Sequence, residues 1–221
     1  LFRQLMGLAD VRHEIDDACR GAGRKPSSVT LVAVSKFQPV EKISAIIDAG
    51  QMTFGENRVQ EAAEKFPPLR ERHSGIVLHM VGRLQTNKVK DAVRVFDAIE
   101  TVDSLRLAAA LGEEMRKQSR SLPCFVQVNT GDEPQKGGIA PEELERLLAF
   151  CRDEAGLNII GLMCIPPAHA TPETHFTLLR ELAEGFDLPC LSMGMSDDFA
   201  RAIRCGATHI RVGTAIFGPR S

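Results

Sequence analysis

Tryptophan and tyrosine are absent from the 221-residue sequence, and 11 phenylalanines are its only large aromatic side chains. No phenol is therefore available as a proton carrier. No apolar run approaches the roughly 20 residues that a membrane-spanning helix needs. The stretch from Leu1 to Arg20 is polar and helix-patterned, with no signal-peptide core. Neither sign of charge dominates: 27 basic against 29 acidic residues give a formal net charge of −2, which points to no general nucleic-acid or membrane surface. The six cysteines, Cys19, Cys124, Cys151, Cys164, Cys190 and Cys205, form no CxxC pair. A reduced, buried set is expected rather than disulfides or a metal centre, and with it a cytoplasmic protein. No HxH or HExxH spacing occurs, and His169 and His175 are six apart, so no metal ligation is expected.

What is present is an ordinary globular balance, 43% apolar and 25% charged, arranged as short apolar runs alternating with longer amphipathic stretches. The runs Thr30–Val34, Met52–Gly55, Val77–Val81, Ala98–Ile99, Cys124–Asn129, Ile159–Ile165, Leu191–Met193 and His209–Val212 are too short for helices. They lack polar alternation, as parallel strands covered by helices do. Helical patterns cover Pro39–Ala49, Arg58–Lys65, Val89–Phe96, Ser104–Gln118, Pro141–Glu154, Pro172–Phe186 and Asp197–Cys205, several opened by a capping residue or first-turn proline. Eight strands with seven intervening helices predict an α/β fold, a single TIM-type β/α barrel of parallel strands with no second domain. The rival is a doubly wound open sheet. Few residues follow the eighth strand, so the helical segment 2–21 is expected to pack over the gap, giving one domain over 1–221.

In such a barrel, function gathers at the C-terminal ends of the strands. Lys36 continues the first apolar strand. It is either a surface lysine marking the strand end or an amine at the barrel mouth, where partial desolvation favours the neutral form that Schiff-base formation needs. Asn57, Gln85 and Asn87 are placed to hydrogen-bond a planar ligand or to cap helices. His79 lies among apolar neighbours and reads first as a hydrogen-bonded core residue. The strongest local signal is the pair of loops Ser192-Met193-Gly194-Met195-Ser196 and Arg211-Val212-Gly213-Thr214-Ala215. Glycines allow close backbone approach to an anion, and phosphate sites of barrels often use the loops after strands seven and eight. Asp197 and Asp198 open the following helix. Arg211 either pairs with a neighbouring carboxylate or faces the barrel mouth. Set against a pyridine nitrogen, a permanent cation would keep that nitrogen unprotonated and weaken the ring as an electron sink.

The segments AVSK at 33–36, FGENRVQE at 54–61, HMVGRLQTNK at 79–88, GLMCIPP at 161–167, SMGMSDDF at 192–199 and RVGTAIFG at 211–218 occur in order along nearly the whole chain. Together they make the sequence resemble the pyridoxal-phosphate homeostasis proteins (the YggS/PROSC group). The resemblance implies a barrel similar to the N-terminal domain of alanine racemase, without that enzyme's β-domain. It implies pyridoxal 5′-phosphate carried on Lys36, with Ser192, Gly194, Met195, Gly213 and Thr214 around the phosphate, Arg211 facing the pyridine nitrogen, and Asn57 and Met163 near the ring. The sequence departs from the family's usual pattern at Phe37-Gln38, at Leu78 and in the loop 131–138.

Family members look like carriers or regulators of the cofactor rather than enzymes with an established reaction. The alternative is a racemase of the same barrel type. Racemisation needs a base on each face of the substrate, and the racemase relatives use the cofactor lysine and a tyrosine. With no tyrosine here, His79 and Cys164 are the remaining candidates. A monomer is expected, with pyridoxal phosphate and transiently its apoenzymes as partners, and neither nucleic acid nor membrane. Lys136 and Lys88 are candidates for a second, transient cofactor site.

Overall fold

The computed structural model describes residues 2–131, 133 and 137–218. Strands β1 (Thr30–Val34), β2 (Thr53–Glu56), β3 (Val77–Met80), β4 (Ala98–Val102), β5 (Pro123–Gln127), β6 (Asn158–Met163), β7 (Cys190–Ser192) and β8 (His209–Val212) pair in parallel in chain order, and β8 returns to β1. Because β1 is bonded to both β2 and β8, the sheet is a closed barrel and the open-sheet alternative is excluded. Nine helices surround it among the described residues: α1 (Phe2–Gly21), α2 (Val40–Asp48), α3 (Val59–Arg72), α4 (Val89–Val95), α5 (Leu105–Lys117), α6 (Leu144–Ala149), α7 (Pro172–Gly185), α8 (Phe199–Arg204) and α9 (Thr214–Phe217). None is long and apolar enough to cross a membrane.

The strands are mostly apolar because both faces are covered. Leu31 and Ala33 join the core between sheet and helices, while Val34, alternating with them, lines the barrel mouth. Each helix turns one stripe inward. On α2, Ile43 and Ile46 are fully buried, each contributing about 1.5–3 kcal/mol of apolar burial. On α5, Ser104 caps the first turn by accepting from the Leu107 N–H at 3.3 Å. Helix α1 lies against α8 and α9. A side chain at Gly7 would meet the carbonyls of Ala215 and Ile216 at 2.9 and 3.0 Å, so only glycine permits that approach.

Three elements differ from expectation. Helix α3 runs seven residues past Lys65, through Pro67 and Pro68. Both prolines are exposed, and the buried Phe66 and Leu69 on either side anchor the extension. Strand β4 continues through Glu100, Thr101 and Val102, since the acid finds its partners inside the barrel. The segment 141–154 is not one uniform helix. A 3-10 turn (Pro141–Glu143) opens α6, and a wider turn (Phe150–Glu154) closes it, with the Ala155 N–H reaching back to the Phe150 carbonyl. The six cysteines are unpaired. Four are buried and Cys190 and Cys205 half-buried, and burial raises the thiol pKa of all six.

A candidate cofactor cavity at the barrel mouth

The C-terminal ends of β1, β2, β3, β6, β7 and β8 enclose a cavity of about 250 Å³. Six of the nine residues singled out in the sequence line it: Lys36, Asn57, Met195, Arg211, Gly213 and Thr214. Val34, Val81 and Ile165 supply apolar walls, and Ser196 and Asp197 complete the rim. The other three do not reach the lining. Gly194 directly precedes Met195 in the β7–α8 turn. Met163 and Ser192 are fully buried at matching register on β6 and β7, in the layer beneath.

The β7–α8 turn depends on Gly194, whose φ of +95° is left-handed; a Cβ there would lie 2.6 Å from that of Ala202. Two backbone donors of the expected phosphate loops are already engaged within the protein. The Met195 N–H donates to Asp198 Oδ1 at 2.6 Å, and the Ala215 N–H to Ser196 Oγ at 3.4 Å. Asp198 therefore organises the turn from within, while Asp197 brings an acid to the cavity rim.

Below the cavity a chain of polar side chains crosses the barrel. Arg211, only 4% exposed, donates to Ser192 Oγ at 2.6 Å and to the Cys164 carbonyl at 2.8 Å. Ser192 donates in turn to Glu100 Oε2 at 2.6 Å, and His79 Nδ1 lies 2.6 Å from Glu100 Oε1. Burial alone would raise the Glu100 carboxyl. The His79 hydrogen bond and charge, the Arg211 guanidinium and the Ser192 hydroxyl outweigh it and hold the pKa at about 2. An ionised carboxylate at 2.6 Å requires the proton on His79 Nδ1, so His79 is a fixed donor. His209 lies beside this chain, its ring 5.1 Å from that of Phe125, and burial holds its pKa down at about 4. Arg211 thus has both roles the sequence left open: it pairs with Glu100 at 4.0 Å and lines the cavity.

Glu100 is the residue sequence reasoning missed. Its signal is an acid inside the run Ala98–Val102, where the apolar pattern alone ends the strand at Ile99. Of the substitute proton carriers, His79 is held by Glu100, and burial pushes the Cys164 thiol up to about 12 despite the nearby Arg211 cation. Lys88 lies at the end of a short 3-10 turn (Thr86–Lys88) and lines neither this cavity nor its neighbour. Lys136 lies outside the described residues. The neighbouring cleft, about 830 Å³, shares Lys36 and Asn57 with the inner cavity and carries Arg58, Arg83 and Arg106 against a single acid, Asp103.

Comparison with known proteins fits this geometry. The alanine racemase N-terminal domain family matches residues 8–221. A pyridoxal phosphate homeostasis protein of Escherichia coli (strain K12) is 39% identical over 222 residues, spanning 96% of this chain and 95% of the relative. The chain belongs to the pyridoxal phosphate homeostasis protein family. The family's protein from Pasteurella multocida is 40% identical over 223 residues, 96% of each chain. PipY of Synechococcus elongatus PCC7942, solved without PLP, superposes with a TM-score of 0.87 at 37% identity, covering 97% of this chain and 99% of PipY. PipY has also been solved with PLP bound (TM-score 0.84, 36% identity, 97% and 100% coverage). Alanine racemase from E. faecalis shares the fold alone, at 20% identity and a TM-score of 0.68, with this chain spanning 58% of its length.

Proposed function

We propose that this protein binds pyridoxal 5′-phosphate as a Schiff base on Lys36 and serves intracellular homeostasis of the cofactor, as carrier or regulator, without catalytic turnover of its own. The observation that carries this is the convergence of Lys36, Arg211 and the 195–197 and 213–214 loops on one small cavity. A single-ring phosphate ester suits it: an amine at one wall, hydroxyls of Ser196 and Thr214 with a glycine-bearing loop at another, and a guanidinium at the floor. The PLP-bound structure of PipY, 36% identical, supports the same ligand. When bound, pyridoxal phosphate supplies an aldehyde that condenses with a primary amine.

Within this reading Lys36 provides the amine, and Gly194, Met195, Gly213 and Thr214 surround the phosphate. Ser192 acts one layer down by holding Arg211, and Met163 shapes the floor beside it. Arg211, held by Ser192 and Glu100, keeps a cation where the pyridine nitrogen would lie, which disfavours carbanion chemistry. The arginine-bearing outer cleft raises the local concentration of phosphate esters at the cavity entrance. The cytoplasm is the proposed compartment, and apoenzymes that need the cofactor are the proposed transient partners of a monomeric barrel.

The match to the racemase domain favours amino-acid racemisation as the second reading. That reaction would need a proton carrier opposite Lys36, and both candidates are poorly suited: His79 is engaged by Glu100, and Cys164 is a thiol far from ionisation. Equilibrium titration with pyridoxal phosphate should give one site per chain, lost or weakened at least tenfold in Lys36→Ala. An L-alanine racemisation assay on the loaded protein should show no turnover. Unchanged stoichiometry in Lys36→Ala would refute the site, and sustained racemisation would refute the carrier reading.

A further inference from the structure

The motif 54–61 is absorbed by the cavity only through Asn57, yet its acids and the first half of α3 have a common target. Just past β1, Ser35 to Gln38 form a four-residue turn closed by the Gln38 N–H on the Ser35 carbonyl at 3.0 Å. Lys36 and Phe37 are its central residues. Phe37 has φ +62° and is 55% exposed. That corner of a turn normally belongs to glycine or asparagine, because a Cβ makes the left-handed conformation unfavourable. The turn that presents Lys36 is therefore strained and needs outside support.

The support comes from β2 and α3. Glu61 Oε1 accepts the Phe37 N–H at 2.5 Å. Lys65 Nζ donates to the Ser35 carbonyl at 3.0 Å and pairs with Glu61 and, at 3.3 Å, with Glu56. The Ser35 hydroxyl donates to the fully buried Glu56 Oε1 at 2.7 Å. Above the turn, the Arg58 guanidinium stacks on the Phe37 ring at 5.4 Å. Both peptide groups flanking Lys36 are thus held by charged side chains of one neighbouring unit, the Lys65 bonds part-buried and the Glu61–Phe37 bond at the surface.

We infer that Glu61 and Lys65, backed by Glu56, are positioning residues that clamp the strained Ser35–Gln38 turn and so aim the Lys36 amine into the cavity. The inference rests on the reading of Lys36 as the cofactor-bearing lysine and adds the residues that make it competent. They do not touch the ligand; they act through the backbone of Ser35 and Phe37.

The test uses the full chain and pyridoxal 5′-phosphate, following the rate of cofactor capture and the position of the visible Schiff-base band. Glu61→Ala should slow capture about tenfold, the equivalent of one charge-assisted hydrogen bond, and shift the band. Glu61→Gln, which keeps an acceptor for the Phe37 N–H but loses the charge that pairs with Lys65, should fall between wild type and Glu61→Ala. Adding Phe37→Gly to Glu61→Ala should restore capture, because glycine holds the turn without help. A merely structural role for Glu61 would not be rescued in this way. Wild-type capture in Glu61→Ala, or the same loss with and without Phe37→Gly, overturns the clamp. Amide exchange at Phe37 in the cofactor-free protein gives a readout independent of the ligand: Glu61→Ala should accelerate it, and unchanged exchange also overturns the clamp. Reduction with borohydride that leaves the cofactor on another lysine defeats the Lys36 reading instead, and the amide exchange then still decides whether the clamp exists.

Discussion

Removing the Glu100 carboxylate together with its Arg211 partner should cost less than the sum of removing each alone. Glu100 is fully buried, 4.0 Å from the Arg211 guanidinium, with the Ser192 hydroxyl bridging the two by 2.6 Å hydrogen bonds. At that separation and an effective dielectric constant near 20, the gross attraction is about 4 kcal/mol. Most of it offsets the loss of hydration of both groups. In Glu100→Ala the guanidinium stays inside the barrel without its anion, and the expected loss of stability is about 3–5 kcal/mol. For a domain of this size that lowers the melting temperature by roughly 10 °C. Arg211→Met alone leaves the carboxylate with His79 and the Ser192 hydroxyl but without its full cation, and should also destabilise. The double variant Glu100→Ala with Arg211→Met removes both charges, and its loss should fall short of the sum of the single losses by about 2 kcal/mol. Urea unfolding of the four cofactor-free proteins, at constant denaturant slope, measures the cycle. Additivity within about 0.5 kcal/mol would show that the two groups are not coupled and that the reasoning about the barrel floor is wrong.

Other residues give sharper local tests. Gly194→Ala forces a left-handed alanine against Ala202 and should lose about 2–4 kcal/mol by chemical unfolding; it should also weaken cofactor binding, and a neutral effect would remove the turn's special role. His209, whose folded-state pKa of about 4 lies below its unfolded value, binds its proton more readily in the unfolded chain. Its contribution is therefore lost as pH falls from about 6.5 toward 4, with a slope approaching one proton. Glu56, raised by burial, has the opposite slope just above its ordinary range, so the readout is the difference between wild type and His209→Gln, and equal slopes would refute the assignment. Replacing Arg58, Arg83 and Arg106 together by Gln should slow association with pyridoxal phosphate and flatten its dependence on salt in stopped flow; an unchanged salt dependence would leave the outer cleft with no steering role.

The barrel was legible because its strands are mostly apolar, α5 opens at a capping serine and α7 at a first-turn proline. What escaped was polar material inside apolar surroundings. Glu100 ended the expected fourth strand too early, since an acid there makes sense only once Arg211 and His79 arrive from other strands. The extension of α3 through Pro67-Pro68 was hidden for a related reason: two prolines read as a stop unless the burial of Phe66 and Leu69 is known. At the site, Lys36, Arg211 and the glycine-bearing loops were readable from their places at or just past strand ends. Ser192 and Met163 carry the right motif but face the layer below. The support of the Lys36 turn was not readable, because the left-handed Phe37 has no sequence signature and the α3 partners of Phe37 and Ser35 lie 24 and 30 residues away from them.

The most direct test of the central claim is a visible spectrum of the protein with pyridoxal phosphate, before and after borohydride, followed by peptide mass mapping. The account predicts a Schiff-base band that disappears on reduction and leaves the cofactor's mass on the peptide containing Lys36. A band absent even with excess cofactor, or a label fixed on another lysine, would contradict it.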